Sequence, residues 1–296
     1  MATEVQAHPA AFQTLRNVLG LFKLRIGFVI AFTAMAGLAV TPGASLTGWQ
    51  MATLALAVLI SSASAGAFNQ YYEYELDQHM ARTRRRAFVT GALKHGPVWL
   101  VLILGLLVAS VAAAWYALNA WSALYVFLGA FFYAVVYTVW LKRRTWLNIV
   151  IGGLAGSWAV LAGAAAVDPQ LGAVPLLLAF VLFLWTPPHF WSLAIAFRED
   201  YASAGVPMLP VVVGEKRAAM TIFYSTLALV AASIAPVFFG LGMLYLAAAS
   251  VGGGLFIAKA WKLTREPGRR AAMICFHASL IQLTLVLVAA MIDAHL

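Results

Sequence analysis

Residues 54–86 read LALAVLISSASAGAFNQYYEYELDQHMARTRRR, and the change of character within this stretch decides the architecture. The apolar run ends at Asn69, and Asn69, Glu73 and Asp77 then recur at four-residue spacing, so on a helix the three side chains share one face. Glu75 lies alongside, and Arg82, Arg84, Arg85 and Arg86 follow within a few turns. Carboxylates in this setting suit a hard divalent cation. Mg²⁺ binds through a few carboxylates plus substrate phosphates, and arginine grips phosphate with paired hydrogen bonds. Acids beside arginines at the end of an apolar helix therefore point to a metal-held diphosphate. The plainer alternative is a charged helix end, with Glu73 and Asp77 paired to arginines on a solvated face. Position weighs against it, because an acidic stripe on a helix leaving a bilayer is expensive unless it lines a cavity or binds a cation.

Composition supports the bilayer. Hydrophobic residues make up 64% of the chain and charged residues 10%, against about 25% charged in an ordinary soluble domain. The apolar stretches are mostly about 18 to 23 residues long, enough to cross a hydrocarbon core as helices. Nine spans are predicted at approximately 26–44, 48–68, 97–117, 119–139, 149–167, 171–192, 218–238, 240–260 and 272–292, preceded by a cytoplasmic segment, 1–25. The spans ending near 68 and 192 are expected to continue as helix into the polar loops. Residues 1–24 contain Glu4 and no hydrophobic core followed by a cleavage site, which reads as neither a signal nor a transit peptide. A bacterial plasma membrane fits best. The single cysteine, Cys275, lies in the last apolar stretch, so no disulfide framework or thiolate metal site is expected.

Lysines and arginines concentrate in cytoplasmic loops, so the loops give the orientation. Arg16, Lys23 and Arg25 precede the first span; Arg82 to Lys94 follow the second; Lys142, Arg143 and Arg144 follow the fourth. Arg198, Lys216 and Arg217 follow the sixth, and Lys259, Lys262, Arg265, Arg269 and Arg270 the eighth. The opposite turns carry none. The N-terminus is thus expected inside and the C-terminus outside. The formal net charge of +9 is explained by topology, which disfavours nucleic-acid binding. The cluster between the last two spans reads as an anchor to anionic lipid.

Other segments add to the acidic motif. Arg198-Glu199-Asp200-Tyr201 follows Pro187-Pro188-His189-Phe190-Trp191, and Asp200 is a candidate fourth acid facing Asn69, Glu73 and Asp77 across two long cytoplasmic loops. The loops stand four spans apart, a weak hint of two related four-helix units. Pro187-Pro188 should break or kink its helix, and freed backbone groups at membrane depth are tolerated chiefly beside a cavity. Tyr137-Thr138 and Lys142-Arg143 offer partners for phosphate oxygens, or else simple positive-inside anchors. His189, flanked by Trp185, Phe190 and Trp191, is either a contact for a flat aromatic substrate or a hydrogen-bonded structural histidine; His277 reads as structural. Gly152, Gly153, Gly156, Gly163 and Gly252 to Gly254 read as close-packing positions.

Taken together, the segments Asn69-Gln70-Tyr71-Tyr72-Glu73-x3-Asp77-x2-Met80-x-Arg82-Thr83, Tyr137-Thr138-x2-Leu141-Lys142-Arg143-x-Thr145-x2-Asn148-Ile149-x2-Gly152-Gly153 and Trp185-x-Pro187-Pro188-His189-Phe190-Trp191 resemble the UbiA superfamily of intramembrane prenyltransferases. The last two segments, with Asp200-Tyr201-x2-Ala204-Gly205-Val206-Pro207-Met208-Leu209-Pro210, resemble its heme-farnesylating branch. The likeness runs from about residue 15 to the C-terminus. It implies an all-α integral membrane protein, a nine-helix bundle over 26–296 with a central cavity capped by the two acidic loops. It further implies transfer of a farnesyl group from farnesyl diphosphate to heme B, with Mg²⁺ held by Asn69, Glu73, Asp77 and Asp200. Arg82, Lys142, Arg143, Arg198 and Tyr137 would meet diphosphate or propionates, and His189, Trp185, Phe190, Trp191 and Tyr72 the heme or prenyl chain. Tyr71 would help shelter a cation. A heme A synthase or oxidase assembly proteins would be the macromolecular partners. Glu73 stands where the family usually has Asp, and Ala87 where an Arg-Pro pair usually continues, which leaves loop geometry and acceptor open. A quinone precursor or chlorophyllide as acceptor, a transporter for an amphipathic anion, and a non-enzymatic assembly factor remain the rival readings.

Overall fold

A computed structural model describes residues 10–296; residues 1–9 of the expected cytoplasmic segment, Glu4 among them, lie outside the described residues. Every regular element among the described residues is helical. Among the described residues eight helices are long and apolar enough to cross a bilayer: Gly48–Tyr72, Val98–Ala117, Ala120–Leu141, Asn148–Val167, Ala173–Ala196, Glu215–Phe239, Met243–Arg265 and Arg269–Asp293. They reproduce eight of the nine expected spans to within a few residues.

The first span departs from expectation. The span expected at 26–44 is the shorter α2 (Leu24–Ala39), and the segment expected before it carries a helix of its own, α1 (Ala10–Leu21), bent by 44° against α2 at the break between them. Lys23 sits at the break with φ 48°, a left-handed conformation that lysine rarely adopts. The break is latched onto α3 (Gly48–Tyr72), whose Gln70 Nε2 donates to the carbonyls of Gly20 (3.1 Å) and Leu21 (2.9 Å), satisfying the open C-terminus of α1. As expected, α3 continues to Tyr72, and α4 (Tyr74–Gln78) carries the helical path on to Gln78.

After α4, α5 (Val98–Ala117) and α6 (Ala120–Phe131) return across the bundle, and the fourth span closes as a π-helix over Phe132–Leu141. The i to i+5 pattern shows in Lys142 N donating to Tyr137 O at 2.9 Å. The fifth span divides at Gly153 into α7 (Asn148–Gly152) and α8 (Leu154–Val167). Then α9 (Ala173–Ala196) runs unbroken through Pro187 and Pro188, against the expected break. Hydroxyl groups take up carbonyls around the prolines: Thr186 Oγ1 donates to Leu182 O (2.9 Å) and Ser192 Oγ to Pro188 O (2.7 Å). The short α10 (Arg198–Ser203) and α11 (Leu209–Val213) lead to the last three spans, α12 (Glu215–Ile234, extended by a 3₁₀ turn), α13 (Met243–Arg265) and α14 (Arg269–Asp293).

Small residues set the close approaches. A methyl group on Gly163 of α8 would lie 2.7 Å from the carbonyl carbon of Ala34 and 3.0 Å from Leu38 N on α2, and Gly37 meets Val160 in the same way. Gly152, Gly153, Gly252 and Gly253 are confined less severely, with the nearest atom to an added methyl at 2.7–3.0 Å and mostly on side chains, whereas Gly156 has ordinary contacts and Gly254 faces open space.

Candidate active site

The polar stripe on α3 and α4 is buried, not solvated. Asn69, Glu73 and Asp77 are 3%, 1% and 2% exposed, which removes the reading of a charged helix end in water. Each is held by a partner from another segment. Asn69 Nδ2 donates to Glu73 Oε2 (2.8 Å) and to Thr138 Oγ1 (3.2 Å), and Lys142 Nζ donates to the same Glu73 oxygen at 2.5 Å. Lys23 Nζ donates to Asn69 Oδ1 (2.8 Å) and to the Tyr133 hydroxyl (3.2 Å). Asp77 Oδ2 pairs with Arg86 Nη1 at 2.5 Å. Burial pushes the Asp77 carboxyl above its usual range, and the Arg86 guanidinium opposes that only in part.

The π-helix explains why Tyr133, Thr138 and Lys142 converge. Its wider turn of about 4.4 residues brings positions five and nine apart onto one face, where an α-helix would carry them off to neighbouring faces. Thr138 Oγ1 reaches back to Tyr133 O at 2.8 Å, and Tyr137 stacks on Tyr133 with centroids 5.8 Å apart. Lys142 Nζ lies 5.6 Å from the Tyr137 ring, which is itself wedged against Gly152. Arg143, one residue on, is exposed and makes no ion pair among the described residues, so the structure does not bring it to the buried cluster.

The two acidic loops do meet, but not as one ligand shell. The Asp200 carboxylate accepts from the amides of Ala81 and Arg82, each at 3.3 Å, and Ser203 Oγ donates to His79 O at 3.0 Å. Those amides follow the end of α4 with no helical acceptor, so the carboxylate caps them instead of joining Glu73 and Asp77. Among the described residues no group of three or more His, Cys, Asp or Glu is placed to hold a metal ion. What the structure does offer is Glu73 Oε1, buried with no hydrogen-bond partner, a hard oxygen of a kind suited to a divalent ion. A cavity of about 210 Å³ opens beside Asp200, lined by Phe197, Arg198, Glu199, Glu215 and Arg269. Arg82 lies 5.6 Å and Arg269 5.4 Å from the Phe197 ring, so Arg269 faces this rim although its loop reads as a lipid anchor. Arg198 Nε is pinned to Pro210 O at 3.1 Å.

A second constellation lies on α9 and α14. The His189 ring is sandwiched between Trp185 (4.0 Å) and Phe276 (4.3 Å), and its Nδ1 is 2.7 Å from Ser279 Oγ. Trp185 Nε1 donates to Ser279 O at 2.8 Å. Trp191 is buried with its indole nitrogen unpartnered, and Phe190 points outward. Tyr72 also departs from expectation: it is 44% exposed and stacks on Phe68, one helical turn back, away from the buried face. Tyr71 packs instead with His95 and Phe88, and Tyr74 stacks on the same His95, an aromatic cluster that fastens the loop after α4. In that loop Ala87 O accepts from Leu93 N at 3.1 Å. Lys23 and Tyr133 escaped the sequence reading because a lysine before a span and a tyrosine within one look like an anchor and a lipid contact; Arg86 was visible only as one arginine of a run.

The UbiA prenyltransferase family matches residues 30–285. Protoheme IX farnesyltransferase 2 of Paramagnetospirillum magneticum is 57% identical over 94% of this chain and 97% of its own length. Protoheme IX farnesyltransferase 1 of the same organism is 46% identical over 95% of this chain and 99% of its own. Among solved structures, a digeranylgeranylglyceryl phosphate synthase shares the fold with a TM-score of 0.76 at 18% identity, covering 95% of this chain and 99% of that one. A UbiA homologue from Archaeoglobus fulgidus bound to GPP and Mg²⁺ aligns with a TM-score of 0.68 at 18% identity, covering 96% and 99%.

Proposed function

Because the chain belongs to the UbiA prenyltransferase family, we propose that it transfers the farnesyl group of farnesyl diphosphate to a vinyl group of heme B, with addition of water, to give heme O and diphosphate. The shared name of its relatives supports the acceptor. The donor half rests on one observation above all: Glu73, buried against Asn69 and Lys142, keeps one carboxylate oxygen without a partner.

Asn69, Glu73 and Asp77 would hold Mg²⁺, which when bound offsets the negative charge gathering on the diphosphate as its C–O bond breaks. Lys142 and Arg86, already seated on these carboxylates, supply cations that can turn to the phosphate oxygens, with Arg82 and Tyr137 beside them. Asp200, on the amides of Ala81 and Arg82, closes the second loop over the first. Arg198 and Arg269 line the rim where anionic groups of the acceptor would enter. In the stack of Trp185, His189 and Phe276 both faces of His189 are covered, so the outer rings, Trp185 and Phe276, are the ones that would meet a porphyrin, and aromatic faces nearby would shelter an allylic cation. The unit acts over residues 26–296 in a bacterial inner membrane, N-terminus cytoplasmic and C-terminus outside, passing its product to a heme A synthase or to oxidase assembly.

The test is reconstituted membrane protein incubated with heme B, farnesyl diphosphate and Mg²⁺, read by mass. Metal-dependent heme O, lost on chelation, is the expected result. No product in membranes where an active heme O synthase works would overturn the acceptor assignment.

A further inference from the structure

The buried cluster is arranged so that lysines occupy the oxygens a metal would need. Lys23 Nζ holds Asn69 Oδ1 and Lys142 Nζ holds Glu73 Oε2, and Asn69 Nδ2 bridges to that same Glu73 oxygen. The amide of Asn69 is thereby fixed with its oxygen toward the lysine and its nitrogen toward the carboxylate. Arg86 takes Asp77 in turn. Lys142 and Arg86 face Glu73 and Asp77 one to one, and Lys23 adds an amino group with no acid of its own, so no negative charge is left over to draw an ion in.

A divalent ion arriving alone finds Lys142 and Arg86 on the carboxylates and Lys23 on the Asn69 oxygen, and must displace them from a buried site with no anion to receive them. A diphosphate arriving with it reverses both terms, because its oxygens receive the displaced lysines and its charge outweighs that of the ion. Lys23 is built for such an exchange. It sits at the α1–α2 break in a left-handed backbone conformation, its stem packed against Gly66 and its head free of any carboxylate of its own. We propose that Lys23 and Lys142 are resting-state occupants of the metal ligands Asn69 and Glu73, and that their transfer to the diphosphate makes metal entry conditional on the diphosphate. The proposal rests on the metal–diphosphate reading above and adds an order to it: the site rejects free metal and accepts the ion together with its anion. An enzyme so built would not be loaded by metal between turnovers, and release of diphosphate would return both lysines to their seats.

The test is Mn²⁺ binding to the detergent-purified full chain, read from the paramagnetic resonance of free Mn²⁺, with and without inorganic diphosphate and corrected for the Mn²⁺–diphosphate complex in solution. Wild-type protein should bind Mn²⁺ more tightly in the presence of diphosphate by roughly 5- to 150-fold, and diphosphate more tightly in the presence of Mn²⁺ by the same factor. Lys23→Met and Lys142→Met, checked for monodispersity, should bind Mn²⁺ alone more tightly than wild type and lose most of the enhancement. Equal wild-type affinity with and without diphosphate, which needs no substitution to measure, overturns the exchange while leaving metal binding intact; so does a folded lysine variant whose affinity for Mn²⁺ alone is unchanged or weaker. Absence of Mn²⁺ binding in every condition removes the metal reading and the exchange with it.

Discussion

Replacing Gly163 by alanine should loosen the α2–α8 crossing and, through it, the lysine at the head of α2. The added methyl carbon would stand 2.7 Å from the carbonyl carbon of Ala34 and 3.0 Å from Leu38 N, roughly 1 Å inside the distance at which non-bonded carbons rest. Those neighbours are backbone, so no rotamer change relieves the clash and the helices must part. The nearest atom of all is the Ala34 carbonyl oxygen, so the overpacking cost lies at the upper end of about 1–3 kcal/mol and, less about 1 kcal/mol for the better helix propensity of alanine, leaves a net loss of about 2 kcal/mol. Gly254→Ala is the matched control, because a methyl there meets nothing within 4 Å and only the propensity gain remains. The two variants should therefore move in opposite directions. In a thermal-unfolding series of detergent-purified protein, Gly163→Ala should fall below wild type by several degrees, at roughly 2–4 °C per kcal/mol for a chain of this size, while Gly254→Ala holds or rises. If Gly163→Ala were as stable as the control, the close approach of α2 to α8 would not exist as described. The clash should also reach the site, since α2 begins at Lys23; prenyl transfer measured below the melting range should drop in Gly163→Ala and not in Gly254→Ala.

Asp77→Ala should abolish prenyl transfer and leave Arg86 without its buried partner, a stability loss of about 3–5 kcal/mol that thermal unfolding would register; full activity would sink the metal reading. Lys142 and Arg143 should separate, with Arg143→Ala close to wild type and Lys142→Ala inactive in the mass-detected assay. His189→Ala removes a ring packed between Trp185 and Phe276 and frees Ser279, so heme binding and thermal stability should both decline, the stability loss being about 2–5 kcal/mol by analogy with other large-to-small core changes. The pH dependence follows from Asp77, whose carboxyl is raised above the ordinary 3.8 in the folded protein chiefly by burial. The folded state then binds the proton more readily than the unfolded chain, so stability from this group is complete below the unfolded value and is lost as pH rises through the folded one. Thermal unfolding of wild type and Asp77→Asn across pH should show the variant gaining on wild type as pH increases.

Hydropathy and loop charge made the spans legible because both are sums over many residues, and eight helices lie where those sums put them. What the sums hid were single-residue events. The left-handed Lys23 and the bend it makes depend on Gln70 gripping two carbonyls from another helix, a contact with no local signature. Nor can a π-helix be read from an apolar run such as Phe132–Leu141, since a uniformly hydrophobic segment carries no polar periodicity to tell a wider turn from an ordinary one. Pro187-Pro188 misled in the opposite sense: the sequence announces a break, but α9 runs through both prolines, with the hydroxyls of Thr186 and Ser192 bonded to carbonyls one turn back in the same helix.

The acids of the site were legible for a physical reason, and their partners were not for the same reason. A carboxylate at the end of an apolar helix is conspicuous because a bilayer tolerates it only with compensation. The compensating cations arise far away in sequence, Lys23 by 46 residues and Lys142 by 69. Each sits in a position where positive charge is already expected from topology, so the signal that would mark it as buried is masked by the signal that orients the helix. Burial is what separates the two roles: Lys142 is buried and bonded to Glu73, while its neighbour Arg143 stands in solvent. In this chain the loop lysine turned inward is Lys142, and its register is set by the π-helix that ends at Leu141.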